Sequence, residues 1–479
     1  MSVVPAPVLR PADRDPESVH DEGRTSRIRT LWGTLLHPKL GLWAAKGVLA
    51  ITDQGLFAGS SFVLNVLLAR WLTVTEYGTF ALAYSVFLLF VAFHSAAFVE
   101  PMLVFGPGKY SRAMDEYLGI LIRGHFLLML PLSLLLAFAG GLAAHWKYGS
   151  VGPAFLALAL AVPFLLLMWL LRRAFYVESR LGGAISGGVL YLTLVVGLLF
   201  ATRAVHRVSA VTALLMMTAS AIITSLFLLL FLRPRWNSGA GVVKSSEVSL
   251  DHWRYGRWSI AAALVSYIPL NIYYLVLPAW SGLAGTATLR ALMNLINPVV
   301  HILIALVVLL LPSLVRSRRS GGLKKMKDSM TAFLFVTLIG TGLFCIGLWT
   351  YRFQVLQLLY GGRYQNENGG AILFLLLFLL ATCFSSVLTV GLMALERPDR
   401  NLWAYVGSTI VALLVGLPLV AFRGVEGAAE GMFASASMAA GLMYFFYRRA
   451  ASPGIGDSES LEAGPFPDRE ERVVGPQIS

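Results

Sequence analysis

KGVLAITDQGLFAGSSFVLNVLLARWL (residues 46–72), TVTEYG (73–78) and TFALAYSVFLLFVAFHSAAFVEPMLVFGPGKY (79–110) form the stretch on which the fold turns. At about 1.5 Å per helical residue, each apolar run is long enough to cross a bilayer core of roughly 30 Å. The connector between them is too short for a domain, so the stretch reads as a transmembrane hairpin. Its second member carries no Asp, Glu, Lys or Arg before Glu100, whereas its first carries Asp53 and Gln54 near the start and Ser60, Ser61 and Asn65 further along. An ionised carboxylate near the middle of an isolated span costs about 2.5–3.5 kcal/mol on insertion scales. Asp53 is therefore expected to face protein or water.

The pattern repeats along the chain. Of the 479 residues, 57% are hydrophobic and 13% charged, against about 25% charged in soluble domains, and the mean hydropathy is +0.72. Apolar runs place spans at about 47–69, 78–102, 118–142, 152–171, 182–201, 208–232, 258–280, 290–314, 328–350, 371–395, 402–422 and 425–447. The expected fold is an all-α polytopic membrane protein of about twelve transmembrane helices, in two six-helix lobes around a central cavity. The parts are a disordered tail with an interfacial segment (1–45), a first lobe (46–232), a linker (233–257), a second lobe (258–449) and a disordered tail (450–479). The faint similarity of Trp71–Pro101 to Trp280–Pro312 is in keeping with an internal repeat.

Sorting the 38 Lys and Arg residues onto alternate sides of this map tests it. Only Arg70, Lys147, Arg203, Arg207, Arg290, Arg352, Arg363 and Arg423 fall on one side, and every basic cluster falls on the other. This asymmetry puts both termini in the cytoplasm and assigns the formal net charge of +13 to topology rather than to nucleic acid. Cys345 and Cys383 lie inside apolar runs, so they supply neither a disulfide framework nor a metal site. The chain has no GxxxxGK[ST] phosphate loop, which argues against its being its own ATPase. Nor does any outer connector carry the clustered acidic and histidine residues that a membrane glycosyltransferase or polymerase would need.

Two polar faces remain. In the eighth span Arg290, Asn294, Asn297 and His301 recur at i, i+4, i+7 and i+11, on one face of a helix otherwise made of Leu, Ile, Val and Ala. That face is either a hydrated cavity wall for a polar or anionic substrate, where Arg290 suits phosphate, or polar glue between helices. The first span repeats the spacing with Gln54, Ala58, Ser61 and Asn65. Asp53, Glu100 and Arg123 lie at similar depth from the cytoplasmic side, as either a structural ion-pair network or a proton-linked gate. His94, His125 and His301 add further titratable groups.

Several motifs now carry a resemblance. LNVLLARWLTVTEYGTFALAYSVF (Leu64–Phe87) resembles the first hairpin of the polysaccharide flippases of the multidrug/oligosaccharidyl-lipid/polysaccharide exporter superfamily, in which an A-R-x-L end leads through a short EYG turn. LLYGGRYQNENGG (Leu358–Gly370) is similar to the family's LYG-x-x-Y connector, and GVEGAAEGMFASASMAAG (Gly424–Gly441) to its G-x-x-G-A-A-x-G opening of a late span. The resemblance implies alternating-access movement of an undecaprenyl-pyrophosphate-linked oligosaccharide across the bacterial cytoplasmic membrane. No bound cofactor is implied; an H+ or Na+ gradient would drive the cycle, and a polysaccharide polymerase and export proteins would act alongside. On this reading Arg290, Asn294, Asn297, Arg123 and Arg70 hold the charged head, and Asp53, Glu100 and His301 serve ion coupling. A cation- or proton-coupled exporter of small drugs or metabolites is the alternative, and a membrane glycosyltransferase or polymerase the third.

Overall fold

The computed structural model describes residues 55–56, 58–145, 149–236, 243–364 and 369–452. The interfacial segment, both tails, Asp53 and Gln54 lie outside the described residues. Every regular element among the described residues is helical.

The hairpin is present from residue 58 on, its first residues lying outside the described ones. Helix α1 (58–71) ends at Leu72, Thr73 caps the next helix by accepting the Glu76 amide at 3.2 Å, and α2 returns through the bilayer as Val74–Phe105. Four antiparallel rods follow: α3 (Met114–His145), α4 (Val151–Val177), α5 (Leu181–Ala204) and α6 (Ala210–Leu232). The continuous helical trace Ser245–Thr350 contains non-helical backbone at Gly282, Gly321 and Gly322, which divides it into α7 (245–281), α8 (283–320) and α9 (323–350). Gly282 has φ +64°, in the left-handed region that costs any other residue strain, and it lets the chain reverse without a loop. A short α10 (Arg352–Tyr360) and α11 (Gly369–Ala394) come next. The trace Pro398–Ala450 breaks at Gly424 into α12 (398–423) and α13 (425–450).

Eight helical traces meet the length and hydropathy of membrane spans. One divides into three rods and another into two, and α1 adds the described end of a further span, so the chain is an all-α polytopic membrane protein. Large apolar side chains face outward, among them Leu127, Leu134 and Phe138 of α3 and Phe335, Val336, Ile339 and Leu343 of α9. In water such a belt would be costly; against lipid it is the expected exterior.

Helices α3, α4, α5 and α6 pack mainly on one another, as do α9, α11, α12 and α13, and α2 bridges to α7 and α8. Prolines inside the rods expose carbonyls that lipid cannot satisfy, and at two of them a neighbouring helix supplies the donor. Pro101 cannot bond the Ala97 carbonyl, which lies in a π turn (Ser95–Val99) and accepts instead from His252 Nδ1 at 3.0 Å. Pro269 likewise frees the Val265 carbonyl, which accepts from Thr409 Oγ1 at 2.7 Å. Both bonds tie one rod of the bundle to another.

Candidate functional site

The EYG turn of the opening hairpin does three separate jobs at the end of the bundle opposite the basic connectors. The Glu76 carboxylate accepts the Ala210 amide at 2.8 Å and so neutralises the start of α6. Gly78 lets α2 touch α8: a Cβ there would stand 1.9 Å from the Leu283 carbonyl oxygen. Tyr77, fully buried between them, donates to Asn65 Oδ1 of α1 at 3.4 Å and accepts from Asn294 Nδ2 of α8 at 3.0 Å.

Arg290 sits one turn before Asn294 and is 6% exposed. Its Nε donates to Asn65 Oδ1 at 3.1 Å, so one amide oxygen receives both Arg290 and Tyr77. The guanidinium carbon lies 4.6 Å from the ring centre of Tyr84 on α2 and 5.8 Å from that of Tyr274 on α7. Aromatic faces stabilise a desolvated cation by about 2 kcal/mol, less than a buried carboxylate would. Among the described residues no carboxylate lies within ion-pair distance of Arg290. The Thr286 hydroxyl, one turn before Arg290 on α8, is buried and makes no hydrogen bond to a described residue, and the Tyr274 hydroxyl of α7 is buried beside Arg290. Ser61 Oγ meets Tyr84 Oη at 3.3 Å, at the edge of a narrow cavity lined by Ser60, Ser61, Tyr84, Trp169 and Tyr191.

The second motif arrives at the same place. Tyr360, at the end of α10, donates to the Ala291 carbonyl at 2.9 Å, and its ring meets Tyr364 edge-on with centroids 5.4 Å apart. Arg363 donates to the Leu72 carbonyl at the end of α1. Tyr77, Tyr84, Tyr274 and Tyr360 thus surround the polar residues of the first and eighth spans. Sequence periodicity pointed to Asn65, Arg290 and Asn294; it had no means of selecting the four tyrosines, which read as ordinary aromatic residues of apolar runs.

The rest of the α8 face behaves differently. Asn297 is half-buried and His301 is exposed, although i+11 returns a side chain to within about 20° of Arg290, roughly 16 Å further along the axis. One azimuth is sealed near Arg290 and exposed at His301, with Pro298 between the two. Helices α2 and α7 meet at the depth of Arg290: Tyr267 Oη donates to the Ser85 carbonyl at 2.7 Å. Arg70 is exposed at the end of α1, and Glu100 is exposed on α2. Arg123 is half-buried, with Nε donating to the Gly119 carbonyl at 3.4 Å.

At the basic end, the first turns of α7 dock on the other half. Asp251 Oδ2 accepts from Lys109 Nζ and from Tyr110 Oη, each at 2.6 Å, and Lys109 also pairs with Glu247 at 2.7 Å. His252 donates through Nδ1 to the Ala97 carbonyl, leaving Nε2 to accept from Tyr117 Oη at 2.7 Å. Burial pushes the Asp251 carboxyl up, but the bonds from Lys109 and Tyr110 outweigh it and hold the group below its ordinary value. Burial holds the His252 imidazole below its ordinary value. Burial also raises Tyr110, to about 12, so its hydroxyl remains a donor throughout the physiological range.

No protein-family model and no curated protein sequence matches this chain. Solved structures do. An inward-facing conformation of a multidrug resistance MATE family transporter of the MOP superfamily is 15% identical, covers 86% of this chain and 96% of its own, and superposes with a TM-score of 0.67. An outward-facing conformation of a multidrug resistance MATE family transporter, also 15% identical, covers 85% and 94% with a TM-score of 0.58. The lipid II flippase MurJ in an inward closed conformation is 12% identical, covers 88% and 94%, and gives a TM-score of 0.67. The chain therefore has the fold of these transporters and flippases.

Proposed function

We propose that the protein is a flippase that carries a lipid-linked oligosaccharide, headed by a pyrophosphate, across the bacterial cytoplasmic membrane by alternating access for surface polysaccharide biosynthesis. The observation that carries this reading is Arg290: a buried guanidinium where α1, α2, α7 and α8 meet, held by amide and aromatic groups with no described carboxylate to neutralise it. Such a cation stabilises a desolvated anion far more than it would in water. A pyrophosphate entering along the His301–Asn297 face would meet Asn294 and then Arg290, displacing the Tyr77–Asn65 bond at the far end. Loss of that bond is the differential contact by which cargo would favour the opposite conformation. Arg123 and Arg70 would contact the head on its way in and out, and Asp53, Glu100 and His301 would bind the driving H+ or Na+. Both termini lie in the cytoplasm, and a polysaccharide polymerase would receive the product.

A second reading, a cation- or proton-coupled exporter of small drugs or metabolites, is favoured by the equal TM-score to the multidrug transporter. One experiment separates the two. In a deletion strain complemented with Arg290→Ala at normal abundance, the flippase reading expects lipid-linked sugar to accumulate on the cytoplasmic leaflet. Wild-type surface polysaccharide together with lost drug resistance would establish the exporter instead.

A further inference from the structure

His94 and His125 face each other inside the first half of the bundle and are 1% and 0% exposed. His94 Nε2 lies 3.0 Å from His125 Nδ1, and His125 Nε2 lies 2.9 Å from the Pro163 carbonyl oxygen. A carbonyl can only accept, so His125 carries its proton on Nε2 and its Nδ1 is a bare acceptor. The bond between the rings then requires a proton on His94 Nε2. Both imidazoles are neutral in this arrangement, and one chain of donors runs from α2 through α3 to α4.

We propose that this imidazole pair is a further site, separate from Asp53, Glu100 and His301, where the protein takes up and releases one proton during its cycle. The inference rests on the transporter reading. One proton from water adds to His94 Nδ1 when the first half is hydrated, and the same proton leaves when the pair is sealed as it is here. A second proton is excluded, because a proton on His125 Nδ1 would point at the His94 Nε2–H.

Among the described residues, the titratable or charged group nearest the pair on each packed helix is His252 on α7, Glu100 on α2, Arg123 on α3 and Arg172 on α4. None of them hydrogen-bonds either imidazole; the surrounding rings are Phe98, with centroids 5.2 Å from His94 and 6.2 Å from His125, and Phe126 at 5.1 Å from His125. No described carboxylate bonds either imidazole, so the pair's charge answers to hydration.

Its position supplies the coupling. The π turn Ser95–Val99 begins at the residue after His94, and the Ala97 carbonyl inside that turn accepts from His252 of the other half. Phe98 of the same turn also lies against His252, with centroids 6.3 Å apart. A π turn is a helix segment that can slip its hydrogen-bond register locally. An imidazolium at His94 thus acts on the element that holds α7 to the first half.

The test is a titration of histidine-labelled, full-length protein in lipid nanodiscs by 15N NMR between pH 4 and 8, which requires no cargo. The expected result is a hydrogen-bonded, neutral pair at high pH that takes up one proton as a unit, with that uptake lost in His94→Gln, whose amide still donates to His125. A pair that stays neutral throughout overturns the proposal, as do two independent protonations or unchanged uptake in a folded His94→Gln. Should that variant fail to fold, the wild-type titration alone decides. Failure here leaves the cargo reading standing, because Arg290→Ala is read out by accumulated lipid-linked sugar and not by proton uptake.

Discussion

Gly78→Ala tests whether the contact between α2 and α8 is what closes the bundle at the end opposite the basic connectors. The added Cβ would stand 1.9 Å from the Leu283 carbonyl oxygen and 2.6 Å from its carbon, where ordinary contact begins at 3.4 Å. The two backbones must therefore part by about 1.5 Å, and neither can yield by a side-chain rotation because both atoms belong to helix backbone. Overpacking of this kind costs about 1–3 kcal/mol, which falls only on the state in which α2 and α8 touch. A bias of that size shifts a two-state equilibrium by roughly 5–150-fold. The assay is an electron-electron distance measurement between spin labels at Thr75 on α2 and Tyr351 after α9, both exposed at this end. The expected outcome is a growing population at longer distance with little loss of total helix. An unchanged distance distribution, with an unchanged melting temperature, would refute the reasoning.

Three further outcomes follow from the same structure. The docking of α7 should show two acid limbs: His252, held low by burial, contributes stability that is full above about pH 6.5 and lost as pH falls through its depressed value. Asp251, held low by Lys109 and Tyr110, contributes stability that is full above about pH 4 and lost below that. His252→Gln should remove the upper limb and Asp251→Asn the lower, as read from the fluorescence of the exposed Trp253. Thr409→Val leaves the Val265 carbonyl without its donor and should cost about 1–3 kcal/mol in thermal unfolding, whereas Thr409→Ser should be near neutral. Arg290→Lys keeps the charge but loses the planar fork, so export should fall at normal abundance; full export in that variant would show that charge alone suffices.

The membrane spans were legible because hydropathy is a local property: each rod must be apolar over about twenty residues whatever it packs against. The breaks at Gly282 and Gly424 fall in the connectors 281–289 and 423–424 left between the predicted spans, but hydropathy did not carry that one left-handed glycine, rather than a loop, makes each of them. α10 escaped notice because nine residues with two glutamines and an arginine carry no span signal. In the candidate site, spacing placed Arg290, Asn294 and His301 on one azimuth. It could not tell that the facing helices seal the first two and leave the last exposed, because that depends on where two distant halves touch. The resemblance motifs gained a physical meaning that their letters did not hold: Glu76 caps α6, Tyr77 bridges Asn65 to Asn294, and Gly78 admits Leu283.

The central claim is that this protein moves an anionic lipid-linked sugar, and the direct measurement is translocation in vesicles that contain only this protein and a labelled undecaprenyl-pyrophosphate oligosaccharide. The account predicts leaflet exchange of the label in wild-type vesicles, lost with Arg290→Ala. Vesicles that transport a small organic cation while the labelled lipid stays in its original leaflet would contradict it.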